Sequence, residues 1–473
     1  MNKSYEILPF NFDAFESEFV IVNDFGEYLY INPRDFYQFL SYELRLNSDI
    51  YKDLCSKFFA CDAINNSIVD ICATRYRAKF DYIFDSVSLF MIVVTHRCNQ
   101  RCTYCHASSG NEHDGHEFDL DEESANNIVY SISKFNCKKI KIEFQGGEPT
   151  LNFKIIKHIV LQSKSVLDNK DVEFVICSNL YSINNEITTF VKEHNISIST
   201  SLDGDKLRHD KDRILSNGLG TFDNVLSNIQ FLRTNGVGNV SALLTVTKNN
   251  INYLKQVIDT YIQLGFNSVF IRELNPYGKA KDNANLAYSI DKFIESYIAA
   301  LDYIFLLNKN GYFFIEEFMA ILARKILTPF STGFVDLQSP SGYAINSIIF
   351  NTNGDVFVSD EARMLNRSHG EEYFKLGNAH DDDIAAWYGD ECSSHVESSV
   401  LECIPKCSWC AYKPYCGVDP VRLKFNKNSV ADQCTKHKKI FRYIFNVLLK
   451  DAYKIKTLRS WAYNSPLPIG VSE

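Results

Sequence analysis

The sequence predicts an α/β fold in which a partial (β/α)6 barrel follows a small winged-helix-like module and precedes a cysteine-rich domain. From about residue 86 to about residue 280, short apolar runs alternate with helix-like segments, as parallel sheets with helical crossovers require. Three short strands and two helices come before this region, and two groups of cysteines lie within it and after it. A chain of 473 residues is long enough to form several such domains.

The winged-helix-like module is predicted for residues 1–80. Turn-forming residues at Asn23–Gly26 and Asn32–Pro33 separate its strands. A strand edge in such a module can accept a peptide by β-augmentation, and the alternative is an appendage that only packs against the barrel. The predicted elements are the strands Ile7–Phe12, Phe19–Val22 and Tyr28–Ile31, then the helices Asp35–Leu44 and Ser48–Phe59.

The barrel is predicted for residues 86–280, with its functional site at the C-terminal ends of the strands. Its six strands are Leu89–Val94, Ile140–Phe144, Val172–Ile176, Ile196–Ser201, Val240–Val246 and Ser268–Ile271. The helices between them are Asp121–Lys134, Phe153–Leu167, Asn184–His194, Phe222–Thr234 and Asn250–Leu264.

The alternating pattern ends after Glu273. A helical connector is predicted for 281–335, with helices at Asp291–Leu307 and Ile315–Leu327. The cysteine-rich domain follows at 336–455 and a tail at 456–473. This domain begins with a hairpin, Ser347–Phe350 and Asp355–Val358, which turns through Asn353 and Gly354, and it ends in a helix near Lys436–Tyr453.

Charge and hydropathy exclude some classes of function. The net charge of −9 argues against nucleic acid as a partner, because phosphate binding needs clustered Lys and Arg. No run approaches the roughly 20 apolar residues of a membrane span, and the N-terminus lacks the pattern of a secretory signal. We therefore expect a cytoplasmic protein whose reduced thiols bind metals before they form disulfides.

The first cysteine group, Cys98, Cys102 and Cys105, has the spacing C-x3-C-x2-C directly after the first barrel strand. Thiolates are the usual ligands of iron–sulfur clusters, and three of them leave one iron of a [4Fe–4S] cluster open. Because His96 or His106 could supply a fourth ligand, a zinc site remains the alternative.

The second barrel strand ends in the sequence Gln145, Gly146, Gly147, Glu148 and Pro149. Two glycines allow a backbone to approach a ligand closely. The alternative is an ordinary glycine turn between a strand and a helix.

Together, these two motifs resemble the radical SAM superfamily over about Phe90 to Leu274. The resemblance implies a [4Fe–4S] cluster on the three cysteines, S-adenosylmethionine (SAM) on the open iron and a reduced flavodoxin- or ferredoxin-type electron donor. It implies that Gln145, Gly146, Gly147 and Glu148 lie at the SAM amine and that Tyr104 lies beside the adenine. The further implied SAM contacts are Ser178, Asn179, Ser201, Asp203 and Arg213, of which Arg213 could equally be a surface residue.

The second cysteine group, Cys407, Cys410 and Cys416, has the spacing C-x2-C-x5-C and is followed by Cys434. It resembles the SPASM extension of peptide-modifying radical SAM enzymes, which implies one auxiliary [4Fe–4S] cluster. Zinc is the alternative, and Cys403 is a further candidate ligand. The resemblance also implies that another auxiliary cluster is lost, because the expected cysteines are replaced by Ser341, Ser359 and Asp419 or Pro420.

Several short stretches are similar to the radical SAM maturases of the His-Xaa-Ser peptide system: 8–10, 272–278, 360–364 and 414–420. This similarity implies an enzyme that modifies a ribosomally synthesised precursor peptide, gripped by the N-terminal module, through a 5′-deoxyadenosyl radical. Glu273 and Asp360 are candidates for the final deprotonation. The alternatives are maturation of a protein such as a sulfatase, a non-peptide metabolite as substrate, or a zinc-stapled binding protein without enzymatic activity.

Overall fold

The computed structural model describes residues 4–62, 66–84, 86–275, 277–380 and 384–466. Residues 467–473 of the predicted tail therefore lie outside the described part of the chain. Within that part, no helix is both long enough and apolar enough to cross a membrane.

The N-terminal module contains a three-stranded antiparallel sheet and three helices. The sheet has the order β2-β3-β4, and β1 pairs separately with β5. The strands are β1 Glu6–Ile7, β2 Asn11–Ala14, β3 Phe19–Val22, β4 Tyr28–Ile31 and β5 Ala60–Cys61. The helices are α1 Pro33–Leu40, α2 Asp49–Ser56 and α3 Asn66–Lys79.

Two predictions for this module need correction. The first predicted strand is two strands, because Pro9 between them has no N–H for a ladder. Helix α1 begins at Pro33, with Asn32 capping the Asp35 N–H, and it ends before Tyr42, whose φ of 62° is incompatible with a helix. The winged-helix-like assignment itself stays a prediction.

One ten-stranded sheet forms the centre of the molecule, in the order β14-β13-β12-β11-β10-β9-β6-β15-β16-β17. All its pairs are parallel except β15–β16 and β16–β17. Its barrel strands are β6 Leu89–Thr95, β9 Lys139–Gly146, β10 Asp171–Cys177, β11 Ser197–Ser201, β12 Val240–Thr245, β13 Ser268–Arg272 and β14 Ile315–Glu316. A two-stranded pair, β7 Arg97–Cys98 and β8 Gly110–Asn111, lies beside the end of β6.

Helices cover the outer face of this sheet. Alternate residues of each strand, such as Ile140, Ile142 and Phe144 of β9, pack into the main core, while Glu143 and Gln145 point to the other face. The helices of this region are α4 Glu122–Ser133, α5 Phe153–Val166, α6 Asn185–Glu193, α7 Lys206–Asp212, α8 Phe222–Thr234, α9 Leu254–Gln263, α10 Lys279–Asp282, α11 Ile290–Lys309 and α12 Glu317–Leu327. The short α10 lies instead beside the cysteine loop, where the Lys279 N–H donates to the Cys105 carbonyl at 2.9 Å.

The C-terminal part joins the same sheet through the predicted hairpin. Strand β15 (Ser347–Phe350) pairs in parallel with β6, and β16 (Asp355–Phe357) and β17 (Lys375–Asn378) extend the edge. Its helices are α13 Asp360–His369, α14 Asp390–Glu397, α15 Pro405–Ser408, α16 Pro420–Phe425, α17 Lys427–Asn446 and α18 Ala452–Ala462.

The predicted connector and tail differ from the structure in two places. The connector contributes a further parallel strand, β14, which pairs with β13. The Glu316 carboxylate fixes this strand, because it accepts the Ile271 N–H at 3.1 Å. It also caps α12 by accepting the Met319 N–H at 2.7 Å. Helix α18 runs across position 456, where the tail was expected to start, and it packs against α12.

Candidate functional site

The first cysteine group lies at the C-terminal end of β6, as the barrel prediction requires. Cys98 is buried, and Cys102 and Cys105 are half-buried. Burial, together with the charges of Glu148, Cys102 and Cys105, raises the pKa of Cys98 to about 12. The three cysteines therefore lie in one loop at this strand end, close enough for their charges to interact.

Backbone hydrogen bonds fix the cysteine loop to the neighbouring strand ends. The Gly147 N–H donates to the Thr95 carbonyl at 2.9 Å, and the Glu148 N–H donates to the Arg97 carbonyl at 2.8 Å. A Cβ on Gly147 would lie only 2.2 Å from the Arg97 carbonyl oxygen, so the second glycine of this motif permits a close backbone contact. These glycines therefore hold the loop that carries the cysteines.

The polar surroundings of the sulfurs fit an iron–sulfur cluster. The buried Gln100 side chain lies between two of them: its backbone N–H donates to Cys98 Sγ at 3.4 Å, and its Oε1 accepts from Cys102 Sγ at 3.4 Å. Its Nε2 is buried without a partner among the described residues, and a sulfur acceptor at this position would satisfy it.

The two histidines of this loop bear on the zinc alternative. Burial lowers the pKa of His96 to about 3 and that of His106 to about 4, so both rings are neutral at pH 7, which is the form that can bind a metal. In the described ranges neither ring makes a hydrogen bond to a cysteine sulfur, and no three His, Cys, Asp or Glu side chains, those of the two cysteine groups included, have the arrangement of a formed metal-ion site.

Glu148 binds the end of the neighbouring strand. Its buried carboxylate accepts hydrogen bonds from the Thr150 N–H and hydroxyl, the Ser178 hydroxyl at 2.8 Å and the Asn179 N–H at 2.7 Å. Burial raises the pKa of Glu148, and these donors oppose that shift. The implied contact of Glu148 with the SAM amine stays a prediction, because four donors already occupy its two oxygens.

Asn179 lies directly beside the cysteines. Its Nδ2 donates to the Asn99 Oδ1 at 2.8 Å and lies 3.8 Å from Cys98 Sγ. Gln145, on the preceding strand, donates instead to Glu143 at 2.7 Å, and Ser201 is the last residue of β11. The predicted SAM contacts thus lie at the ends of adjacent strands.

Arg213 is buried in an ion pair. Its Nε donates to Asp203 Oδ2 at 2.7 Å, and its Nη1 lies 3.9 Å from Cys102 Sγ. The Tyr104 hydroxyl donates to the same oxygen of Asp203 at 2.5 Å, and the Thr245 N–H donates to the other. The surface alternative for Arg213 is therefore wrong, since this guanidinium lies between a buried carboxylate and a cysteine.

The two candidates for proton transfer lie in different environments. Asp360, the first residue of α13, accepts from Arg363 at 2.7 Å, and its charge acts on the pKa values of His106 and Cys177 at the strand ends. Glu273 lines a cavity of about 230 Å³ between the barrel and the C-terminal part. Burial raises its pKa, but Lys436 at 2.8 Å and Arg422 at 3.7 Å lower it below its ordinary value, which makes Glu273 a poor base.

The cysteines of the second group lie close enough in the C-terminal part to influence one another's pKa. The pKa of Cys407 is raised by burial and by the charges of Cys434 and Cys410, and that of Cys416 by burial and by Cys410 and Cys407. Cys403 is exposed, and its place as a further ligand stays a prediction. The sequence analysis did not identify His437, whose Nδ1 lies 3.3 Å from Cys416 Sγ. Its position three residues after Cys434 could have indicated it, because residues at that spacing share one face of a helix.

The positions of the expected but absent cysteines have other structural roles. Ser359 caps α13 by accepting the Ala362 N–H, and Asp419 caps α16 by accepting the Val421 N–H at 2.8 Å. Pro420 is the first residue of that helix, and Ser341 is buried with its N–H donating to Ser399 Oγ. The local fold is therefore complete with these residues.

Two solved structures share this fold. The anSMEcpe structure with bound AdoMet is 19% identical, covers 77% of this chain and 98% of its own, and has a TM-score of 0.64. Streptococcus suis SuiB bound to the precursor peptide SuiA is 14% identical, covers 90% of this chain and 98% of its own, and has a TM-score of 0.54. Both likenesses concern the fold.

Sequence relatives extend the comparison. An uncharacterized protein of Methanocaldococcus jannaschii is 30% identical over 44% of this chain and 70% of its own length. The cysteine-type anaerobic sulfatase-maturating enzyme of Clostridium novyi is 25% identical over 70% of this chain and 87% of its own length. Residues 92–261 match the model of the radical SAM superfamily. The chain belongs to the radical SAM superfamily, which implies a [4Fe–4S] cluster and SAM as its cofactors.

Proposed function

We propose that this protein modifies a ribosomally synthesised precursor peptide, either by a crosslink or by another oxidative change at a C–H bond. When bound, the cluster and SAM supply a 5′-deoxyadenosyl radical that removes a hydrogen atom from the substrate. The protein's own residues position SAM, accept a proton and bind the peptide.

The observation that carries this proposal is an open strand edge beside exposed apolar side chains on the N-terminal module. Strand β2 is at the edge of its sheet, and the Phe15 N–H donates to Glu18 towards β3. Because N–H groups alternate along a strand, those of Phe12 and Ala14 point away from β3. Arg442 already donates to the Ala14 carbonyl on that side at 3.0 Å, so the part of the edge that can take a peptide strand lies at Phe12.

Apolar residues next to this edge provide a surface for peptide side chains. Phe12 is 50% exposed, Tyr37 61% and Leu40 42%, and the last two lie on α1. Phe12 packs its ring 5.1 Å from the centroid of Phe36, so strand and helix form one surface. Exposed apolar residues grouped in this way are typical of interaction sites.

The opposite side of β2 is fixed to the C-terminal part. The Asp13 carboxylate accepts from Arg442 and from the Tyr412 hydroxyl at 2.6 Å, and Asn11 donates to the Ser408 carbonyl. A peptide bound at β2 would therefore be held at a fixed position relative to the domain that carries the second cysteine group.

Asp360 is the residue we assign to proton transfer after hydrogen abstraction. It lies at the C-terminal ends of the strands, where its charge acts on His106 and Cys177. Arg363, which is buried, holds the carboxylate through Nε and Nη2 at 2.7 and 2.6 Å.

Maturation of a sulfatase is the second candidate, because the Clostridium novyi relative carries that name. SuiB, solved with a precursor peptide, covers 90% of this chain at a TM-score of 0.54, and anSMEcpe covers 77% at a TM-score of 0.64. The fold is therefore compatible with both candidates, and the strand edge of the N-terminal module is the observation that supports the peptide.

Two variants test the proposal by co-expression with a short peptide encoded beside this gene. Phe12→Pro removes an outward N–H from β2, and Phe12→Asp places a charge on the apolar surface. We expect each to weaken binding of the peptide leader about tenfold, which corresponds to roughly 1.4 kcal/mol, and to reduce its modification. Reductive cleavage of SAM should be unchanged, since β2 is remote from Cys98.

Leu306→Asp is the matched control, because Leu306 is 52% exposed on α11, away from the module. It should leave leader binding unchanged. If both β2 variants bind and process the peptide like the unmodified protein, the proposal is wrong. Conversion of a sulfatase-derived peptide, with no affinity for the neighbouring peptide, would favour the second candidate.

A further inference from the structure

The cavity of about 230 Å³ between the barrel and the C-terminal part lies at the C-terminal ends of barrel strands. Leu243 of β12 lines it and pairs with Ser201, the last residue of β11 and one of the implied SAM contacts. Glu361 of α13 also lines it and directly follows Asp360, the residue that we assign to proton transfer. The cavity is therefore at the same end of the strands as the first cysteine group.

Three carboxylates that line this cavity surround one tyrosine. The Tyr343 hydroxyl donates to Asp336 at 2.9 Å and lies 3.5 Å from Glu361. Burial and the charges of Asp336 and Asp360 raise the pKa of Glu361, and burial and the charge of Glu361 raise that of Asp419. The fold therefore holds three like charges close together around one hydroxyl.

Arg422 is the cation nearest to this group, and two carboxylates share it. Its Nε lies 3.3 Å from Asp419 Oδ2, although it is not aligned for a hydrogen bond, and its Nη1 lies 3.7 Å from Glu273 Oε1. Lys436, the second cation of the cavity, pairs with Glu273 at 2.8 Å. These two cations therefore serve Glu273 and Asp419.

Asp336 and Glu361 lack such a partner. Among the described residues, no cation lies within ion-pair distance of either carboxylate. Arg272 lines the cavity, but this residue is exposed, and its charge only partly opposes the raised pKa of Glu361. Because neighbouring carboxylates that have lost water are unfavourable without a cation, a positively charged group in the cavity would stabilise both.

Two amide side chains of the cavity lack a hydrogen-bond donor. Asn275 is 7% exposed and Gln433 8%, and both line the cavity. The Oδ1 of Asn275 and the Oε1 of Gln433 are buried and have no partner among the described residues. A carbonyl oxygen can only accept, so these atoms require a donor. They favour an occupant with N–H groups, independently of the carboxylates.

Three aromatic rings form an apolar part of the cavity lining. Phe270, Phe318 and Phe334 lie with their ring centroids 6.2–6.3 Å apart. Such rings accommodate the methylene groups of a long basic side chain and attract its charge. The lining therefore suits both parts of a lysine or arginine side chain.

A metal ion is the alternative occupant of an acidic cavity. In the part of the chain that the structure describes, no three His, Cys, Asp or Glu side chains have the arrangement of a formed metal-ion site. A single ion would also leave the space beside the phenyl rings unfilled. An organic cation fits this lining better.

We propose that this cavity binds a basic side chain of the substrate peptide, an arginine or a lysine close to the residue that is modified. This inference rests on the proposed function, because it concerns the peptide named there. The guanidinium or ammonium group lies among Asp336, Glu361 and Asp419, and the methylene groups lie against the phenyl rings. Since Glu361 directly follows Asp360, a neighbouring residue of the bound peptide is brought towards Asp360.

The test measures binding of blocked amino acids to the anaerobically reconstituted full chain by ligand-observed NMR titration. The probes are the N-acetyl, N-methylamide derivatives of arginine, lysine and citrulline, the last of which has the shape of arginine without its charge. Glu361→Gln and Asp336→Asn are the cavity variants. Glu193→Gln, at an exposed position of α6, is the matched control.

We expect the arginine or the lysine probe to bind with a millimolar Kd, and the citrulline probe to bind at least about tenfold more weakly. Each cavity variant should weaken binding about tenfold, and the control less than about twofold. Because each cavity variant removes one of three mutually repelling charges, neither should lower the midpoint of thermal unfolding. Weaker binding would then not come from a loss of fold.

No binding of the arginine and lysine probes up to about 20 mM, or equal binding of citrulline, would overturn the proposal. Equal loss of affinity in the cavity and control variants would do the same. Binding of Mn²⁺ alone that Glu361→Gln abolishes, without binding of the probes, would assign the cavity to a metal ion instead.

Modification of the neighbouring peptide separates this inference from the proposed function. If the probes bind as expected and that peptide is not modified, the proposed function fails and the site for a basic side chain does not. If the peptide is modified with the same KM by Glu361→Gln and by the unmodified protein, the site fails and the proposed function stands.

Discussion

The two cysteine sites differ in how closely the protein surrounds each sulfur. In the first site, sulfurs meet polar groups from other elements: Asn179 near Cys98, Arg213 near Cys102 and Ser109 near Cys105. In the second site, Cys434 is exposed, and His437 is the polar side chain that contacts a sulfur, that of Cys416.

This difference matches two different tasks. Three thiols leave one iron of a [4Fe–4S] cluster without a protein ligand, so a small molecule can bind there. Such an open coordination position is typical of a reactive centre. Four thiols leave no open position on a cluster, and the exposure of Cys434 places this site near the surface. We therefore expect the first site to bind the small ligand and the second to hold a fully coordinated group.

The largest expected effect comes from removing one ligand in each site. Cys98→Ala should abolish reductive SAM cleavage, because the remaining thiols cannot hold a cluster with an open iron. Cys434→Ala should retain part of the cleavage but lose peptide modification. Each variant should fall from about eight to about four irons per chain, measured together with 5′-deoxyadenosine after dithionite reduction.

Equal loss of SAM cleavage in both variants would contradict the division of tasks. Stoichiometric zinc with almost no iron in the unmodified protein, reconstituted anaerobically, would instead support the zinc-stapled binding protein.

The next largest effect tests the ion pair beside the first site. Arg213→Met leaves the buried Asp203 carboxylate without its cation, which should cost about 3–5 kcal/mol in the free energy of unfolding. Arg213→Lys keeps the charge and should cost less, but it should still raise the KM for SAM because the guanidinium geometry is lost. Chemical denaturation and SAM-cleavage kinetics measure the two effects.

Arg208→Met is the control, because Arg208 pairs with a more exposed residue, Asp205, which is the N-cap of the same helix. Its effect on unfolding should be within about 1 kcal/mol. A similar loss of stability in both methionine variants would show that the Arg213 pair has no special role.

A smaller effect is expected from the glycine that supports the cysteine loop. Gly147→Ala places a Cβ 2.2 Å from the Arg97 carbonyl oxygen, so the loop must shift. We expect a loss of about 1–3 kcal/mol in stability and a lower iron content at the first site only. Gly238→Ala, where no atom lies within 4 Å of the new Cβ, should change neither quantity.

The barrel and the first site could be predicted from the sequence because their signals are local. Each strand is a β-branched run followed by residues that end it, and Cys98 and Gly147 directly follow such runs. Parallel strands bring these ends to one edge of the sheet, so positions far apart in sequence meet without further information.

Other features depend on tertiary contacts that no local sequence pattern indicates. Strand β14 has two residues, too few for a periodicity, and β15 joins β6 from about 250 residues away. The saturation of Glu148 by Ser178 and Asn179 is visible only in the folded protein. A cleft that Cys416 lines likewise combines residues from Lys57 to Arg459 through tertiary packing alone.

The smallest effect compares the accessibility of the two sites in the cluster-free protein. Iodoacetamide should label the exposed Cys434 at least about tenfold faster than Cys98, which is 8% exposed and whose pKa is raised to about 12 by burial. Raising the pH from about 7 to about 9 should increase the thiolate fraction of Cys98 while leaving it the slower site, because burial also limits access.

Mass spectrometry of tryptic peptides over time measures both rates, and Cys403, which is exposed, reports the rate of an accessible cysteine. If Cys98 were labelled as fast as Cys403, the polar groups around the first site would not be in place before the cluster binds. The difference between the two sites would then form only when the clusters are inserted.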